Sequence, residues 1–186
     1  MAIATRTGYQ WRSIARPSQL APNGPWRWWL ILTGRAWGKT RAGAEWVREE
    51  VEAKRASRIA LVTDTAAECR DVMVEGKSGI LAVSPPWYRP LYEPSKRRLT
   101  WPDGQIATLY SAEDPEQLRG PEHDLAWGDE PAKWRRGKLT FENLDMGLRL
   151  GDRPRCLLTT TPRPVWVVQT LLADGRTIVT RGRLSE

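Results

Sequence analysis

The segment that most constrains this chain runs from Trp28 to Lys54, where a short apolar run, a glycine-bearing polar turn and an apolar-striped stretch follow one another. Trp28 to Leu32 suits a buried strand and is stopped by Thr33 and Gly34. Lys39 to about Lys54 then carries Ala44, Val47 and Val51 on one stripe, as an amphipathic helix does. Between them stands Thr33-Gly34-Arg35-Ala36-Trp37-Gly38-Lys39-Thr40. A strand that turns through glycine into a helix aims backbone N–H groups and the helix's positive dipole end at one spot, which favours a phosphate. In such a Walker A loop the lysine, here Lys39, reaches the β- and γ-oxygens, and the next hydroxyl, here Thr40, binds Mg²⁺. The general pattern asks for glycine where Thr33 stands, with Gly34 one step later, and a Gly-Lys-Thr triplet alone also fits an ordinary helix N-terminus.

A second constellation bears on that choice. Leu125-Ala126-Trp127-Gly128-Asp129-Glu130 is a compact apolar run ending in two acids, the form of a Walker B strand. Asp129 is the candidate Mg²⁺ ligand, and Glu130 the candidate base that orients and deprotonates an attacking water. Paired acids at a strand end can instead cap a following helix. The two motifs together, in this order, point to nucleotide hydrolysis.

The rest of the chain alternates in the same style. Ile59 to Val62 reads as a strand, followed by a helix from about Ala66 to Val74, so parallel pairing is implied. Leu99 and Trp101, then Ile106, Thr108 and Tyr110, alternate as strand residues around Asp103-Gly104, whose positive φ angles suit a tight hairpin turn. Cys156 to Thr160 and Thr177 to Thr180 read as strands, with a helix from Val165 to Leu172 between them. Pro17, Pro22 and Pro25 make residues 1–25 an arm with at most one short helical piece, ahead of a core at 26–186.

Composition narrows the function classes. A chain of 186 residues fits one domain. Two cysteines and one histidine, His123, leave neither a disulfide framework nor a Cys/His zinc cluster to assemble, and His123 reads as structural or surface. No apolar run approaches the ~18 residues of a membrane span, so no membrane partner is expected. The 11 tryptophans beside one phenylalanine read as core and interface filler. Lys plus Arg number 29 against 22 acids, a net charge of +7, which suits a polyanionic partner and also suits plain solubility.

At these residues the sequence resembles a known family. Thr33 to Arg48 (TGRAWGKTRAGAEWVR) is similar to the Walker A segment of phage large terminases. Ser111 to Trp134 (SAEDPEQLRGPEHDLAWGDEPAKW) resembles that family's arginine-glycine element running into Walker B, Leu157 to Pro164 (LLTTTPRP) its coupling motif, and Arg16 to Leu20 (RPSQL) its adenine-recognition segment. The resemblance implies an α/β, three-layer P-loop NTPase of the ASCE/RecA-like kind, with a mainly parallel central sheet flanked by helices plus a β-hairpin. It implies a motor that hydrolyses ATP with Mg²⁺ to move double-stranded DNA into a procapsid. A homo-oligomeric ring, expected to be a pentamer when assembled and possible as a monomer in isolation, would meet a portal protein and a small terminase subunit in the host cell cytoplasm. The family carries a C-terminal nuclease domain of the RNase H type after the motor, whereas this chain stops at Glu186, so either the chain is truncated or the nuclease is encoded elsewhere, and no DNA cleavage is expected from this chain.

Carried over residue by residue, the loop Thr33 to Thr40 would bind ATP, Gln19 would bond the adenine edge, and Arg35 would sense or clamp the γ-phosphate. Thr159, Thr160 and Thr161 would report phosphate loss, and Arg119 is the candidate trans-acting arginine. Each has a plainer reading: Gln19 as a solvated arm residue, the threonines as β-formers, Arg119 as an ion-pair partner within its own subunit. The family often has glycine where Ala36 stands, so a Cβ there bears on phosphate affinity. A translocating motor should grip phosphates, and Lys96, Arg97 and Arg98 with Lys133, Arg135, Arg136 and Lys138 are candidate DNA patches, unless they are simply a solvated face. A helicase-like motor and a catalytically silent nucleotide- or DNA-binding module are the competing classes.

Overall fold

The computed structural model describes residues 9–182; residues 1–8 of the expected arm and 183–186 of the expected core lie outside them. Its centre is one eight-stranded sheet in the order β3-β4-β5-β2-β6-β7-β1-β8. The strands are β1 Trp28–Thr33, β2 Arg58–Thr63, β3 Leu91–Glu93, β4 Arg98–Thr100, β5 Ile106–Ser111, β6 Leu125–Asp129, β7 Arg155–Thr160 and β8 Thr177–Gly182. From β5 across to β8 every pairing is parallel; β4 pairs antiparallel with both β3 and β5, so it alone runs against the other strands. The fold is therefore the expected α/β architecture. Every residue of β1, β6 and β7 is buried, as strands covered on both faces must be.

Helix α1 (Trp11–Ile14) precedes the sheet, and α2 (Lys39–Glu52) leaves the end of β1. After β2 come α3 (Ala66–Glu68), a π-helical turn at Cys69–Val74, and α4 (Ile80–Val83); α5 (Gly137–Gly147) and α6 (Trp166–Ala173) follow β6 and β7. One apolar cluster joins α2, the π turn and α4 to Trp29, Leu61, Trp127 and Leu157. Another joins α5 and α6 to Trp28, Leu30, Val62 and Leu158. Alternate strand residues feed opposite clusters, so the helices form two layers around the sheet. The tryptophans divide accordingly: Trp87 and Trp166 are exposed, the others buried.

Several expectations need correction. The hairpin is not closed by a two-residue turn: Thr100 pairs with Ile106, so residues 101–105 connect the strands, and Trp101 lies outside β4. The Trp101 carbonyl accepts from Gly104 N–H at 2.9 Å, and only Gly104, at φ 92, is left-handed. Pro102 at the second position with glycine at the fourth suits a type I turn, which needs no positive φ at Asp103. The strand β3 extends the hairpin to a three-stranded edge, and α5 has no counterpart in the sequence reading. The described part of the expected arm, residues 9–25, packs against the core, with Trp11 buried and Arg12 paired to Glu49 at 3.1 Å.

Candidate functional site

The strands β1 and β6, which carry the two motifs, are separated by β7, and all three end on the same side of the sheet. A crevice outside strand ends is where open α/β sheets bind ligands. There Arg35 to Arg41 face Asp129 and Glu130 across a cleft of about 340 Å³, with Ser78 completing its wall.

The loop between β1 and α2 presents a set of free donors. Arg35 and Ala36 form a turn, and no backbone N–H from Gly34 to Thr40 makes a well-aligned hydrogen bond within 3.5 Å to another described residue. Gly38 caps α2 at φ 94 and ψ 24, a conformation that favours glycine, and a Cβ there would come within 2.8 Å of the mobile end of the Gln19 side chain. Ala36 is also left-handed, at φ 62. The buried Lys39 ammonium donates to the carbonyls of Thr33 at 3.2 Å and Gly34 at 2.8 Å, and lies 3.8 Å from Glu130 Oε1.

The acids are held by the neighbouring strand. The parallel register sets Asp129 beside Thr159, and Thr159 Oγ1 donates to Asp129 Oδ1 at 2.7 Å. Asp129 Oδ2 has no partner among the described residues. Burial pushes the Asp129 carboxyl up to about 6, against the opposing pull of the Thr159 hydrogen bond. Glu130 is left-handed, at φ 49 and ψ 53. Its Oε2 accepts from Thr160 Oγ1 at 3.3 Å, Thr161 N–H at 3.2 Å and Thr161 Oγ1 at 3.3 Å. The threonine run thus touches both acids.

Gln19 sits against the loop. Its Nε2 donates to the Trp37 carbonyl at 3.2 Å, its Oε1 accepts from Arg16 N–H at 3.0 Å, and the Arg16 guanidinium stacks 5.0 Å from the Trp37 ring. Arg35 is exposed at the cleft with no ion-pair partner among the described residues. Arg119 does not line the cleft. It sits on the α5 side of the sheet, in an exposed ion pair with Glu116 at 3.2 Å.

The basic candidates fall in two places. Lys96 and Arg98 share Glu93 at 2.8 and 3.6 Å, and Arg97 donates to Gln117, so the edge cluster is largely spoken for. Lys133, Arg135 and Arg136 are exposed on the segment directly after Glu130. Arg135 reaches Asp64 at 3.7 Å, and Lys138 lies over Trp166 at 5.3 Å. His123 is buried against Tyr110, 3.2 Å away, and burial lowers its imidazole to about 4, a structural role. Ser78 escaped the sequence reading, and Arg16 entered it only as the first residue of the adenine-recognition segment, with no role of its own. Nothing in a linear pattern ties Ser78 to the cleft, although Gly76 and Gly79 flank it in a loop tight enough that a Cβ at either would meet backbone carbonyls within 3 Å.

The fold is similar to solved phage motors. The large terminase ATPase domain of Thermus phage P74-26 superposes with a TM-score of 0.67 at 16% identity, over 90% of this chain and 80% of that one. The large terminase of a thermophilic bacteriophage, in complex with ADP, gives 0.64 at 14% identity over 94% of this chain and 43% of that one. The Phi-28 gp11 DNA packaging motor gives 0.55 at 11% identity, over 88% and 58%. No curated protein sequence matches significantly. The family described as terminase large subunit, T4likevirus-type, N-terminal, matches residues 30–175, which is most of the chain. Because that family model covers most of the chain, and the strand order agrees with the fold of these relatives, the chain belongs to the large terminase subunits, as their N-terminal domain.

Proposed function

We propose that this cleft is the motor's ATP site, and that hydrolysis there drives double-stranded DNA into a procapsid. The observation that carries the reading is the meeting of a free-amide loop and Lys39 with Asp129 and Glu130 in one cleft. The amides of Gly34 to Thr40 and the Lys39 ammonium, released from its carbonyls, would take the β- and γ-phosphates. Gln19 would bond the adenine edge and Arg35 the γ-phosphate. Glu130, fixed by the Thr160 and Thr161 donors, would orient the attacking water and accept its proton as the bond from the γ-phosphorus to the bridging oxygen breaks.

The residues fit a magnesium ion. Thr40 and Asp129 line the same cleft and supply the hard oxygen donors that Mg²⁺ takes. Among the described residues no three His, Cys, Asp or Glu side chains are grouped to hold a metal unaided, so phosphate oxygens and water would complete the shell. When bound, the ion neutralises charge on the β- and γ-oxygens.

Loss of the γ-phosphate would free Glu130 to shift against Thr160 and Thr161, which moves β7 relative to β6. The exposed Lys133, Arg135 and Arg136, next along the chain from Glu130, are the favoured DNA contacts, through phosphates rather than bases. A homo-oligomeric ring in the host cytoplasm, seated on a portal with a small subunit supplying DNA recognition, would bring a neighbour's Arg119 to each site.

Glu130→Gln tests the assignment. Nucleotide binding should persist while hydrolysis falls by at least ~100-fold, the contribution of a positioned base. Hydrolysis at the parent rate would overturn it.

A further inference from the structure

Beneath the acids lies a contact that the motifs do not account for. Trp127 is fully buried on β6, two residues before Asp129, and points to the same side of the sheet. Its Nε1 donates to Thr159 Oγ1 at 2.9 Å. An indole N–H is a donor only, so it occupies a lone pair of that oxygen and leaves the hydroxyl one proton to direct elsewhere. Two acceptors are in reach, Asp129 Oδ1 at 2.7 Å and the Gly128 carbonyl at 3.4 Å. The shorter bond, to a carboxylate, is the stronger.

The same ring is pressed by the phosphate-loop helix. A Cβ on Gly43 of α2 would come within 2.2 Å of Trp127 Cε2 and 2.6 Å of Nε1, so helix backbone lies directly on the indole. One side chain therefore touches the helix of the phosphate loop, belongs to the strand of the acids, and bonds the strand of threonines.

We propose that Trp127 is a positioning residue for Asp129: by fixing the Thr159 hydroxyl as a donor to Oδ1, it holds the carboxylate with Oδ2 turned to the cleft for the nucleotide's magnesium. This rests on the reading of the cleft as a magnesium-nucleotide site.

The test compares ADP binding by calorimetry with Mg²⁺ and with chelator, in the full chain, for the parent, Trp127→Phe, Thr159→Val and the double variant. Phenylalanine keeps a ring against Gly43 and removes the donor. The ratio of the two dissociation constants should fall roughly 10-fold in Trp127→Phe, the scale for removing a partner that orients a metal ligand. Thr159→Val should lose a similar factor, and the double variant no more than the larger single loss, because both act through one hydroxyl. A Trp127→Phe ratio equal to the parent's, an equal loss with and without Mg²⁺, or single losses that add would overturn the proposal. Should Trp127→Phe not fold, Thr159→Val decides alone, and an unchanged ratio there overturns it. A parent that binds ADP equally well with chelator would instead sink the magnesium-nucleotide reading itself, and the proposal with it.

Discussion

Ala36 at φ 62 and Glu130 at φ 49 hold the left-handed backbone, which costs an L side chain about 1–2 kcal/mol per residue. Such conformations persist where surrounding contacts impose them, and they gather at functional sites. Glu130 is imposed on by Lys39 and the threonine donors, whereas the exposed Ala36 has only the turn of the loop. Ala36→Gly should therefore raise stability by about 1 kcal/mol in denaturant unfolding; a fall would show that the loop needs the methyl. Asp129 gives a second prediction. Its folded-state carboxyl is raised by burial, so between the unfolded value and about 6 the native state holds the extra proton. In metal-free protein its contribution to stability therefore falls as pH rises through that window and stays low above it. Asp129→Asn, neutral at all pH, should then raise the nucleotide-free melting temperature at pH 8 by roughly 2–4 °C, the shift that 1 kcal/mol produces in a domain of this size. The same variant should lose magnesium-dependent binding. A lower melting temperature would mean that the ionised carboxylate stabilises the fold.

At the scale of elements, α5 fastens the arginine-glycine segment to the sheet. Asn143 on α5 is buried, and its amide donates to the Pro115 carbonyl at 2.9 Å. Asn143→Leu would strand that carbonyl at a cost of about 1–3 kcal/mol, measurable in denaturant unfolding. On the other face, Gly43→Ala forces a Cβ into the Trp127 ring, and the overpacking should cost about 1–3 kcal/mol. These two helices differ in how far the sequence reveals them. The helix α2 begins at a glycine turn and carries a regular apolar stripe, so both its start and its face could be read. The helix α5 begins at Gly137 after a run of cations and buries Thr140 and Asn143 beside Phe141 and Leu144, so polar residues interrupt its stripe. Its buried polar groups are legible only once Arg136 and Pro115 are seen to supply their partners. The run Ala66–Val74 shows helical periodicity but not the wider π turn it adopts from Cys69 onward, because tertiary packing decides that detail. The cleft itself was legible as two motifs; its third wall at Ser78 and the buried contact from Trp127 to Thr159 behind Asp129 depend on tertiary packing, which no local pattern encodes.

For the whole molecule, the exposed Arg119 does not line its own cleft, and the proposed ring would give it a role at a neighbour's. If Arg119 serves the neighbouring site, mixing Arg119→Ala with Glu130→Gln should restore hydrolysis that neither variant shows alone, because some interfaces then join an intact Glu130 to an intact Arg119. A mixture no faster than its parts would return Arg119 to a local ion pair. DNA contact through the segment after Glu130 predicts that Lys133→Ala with Arg136→Ala weakens binding to any sequence about equally and lowers the salt slope by about 2. An unchanged slope would leave those cations as a solvated face. The central claim is that the two motifs serve one nucleotide. A crystal structure with a non-hydrolysable ATP analogue and Mg²⁺ tests it directly: the triphosphate should lie in the Gly34–Thr40 loop, with the ion between Thr40 and Asp129 and Glu130 facing the γ-phosphate. A nucleotide bound elsewhere, or one that touches the loop while Asp129 and Glu130 stay out of reach of the ion and the γ-phosphate, would contradict the account.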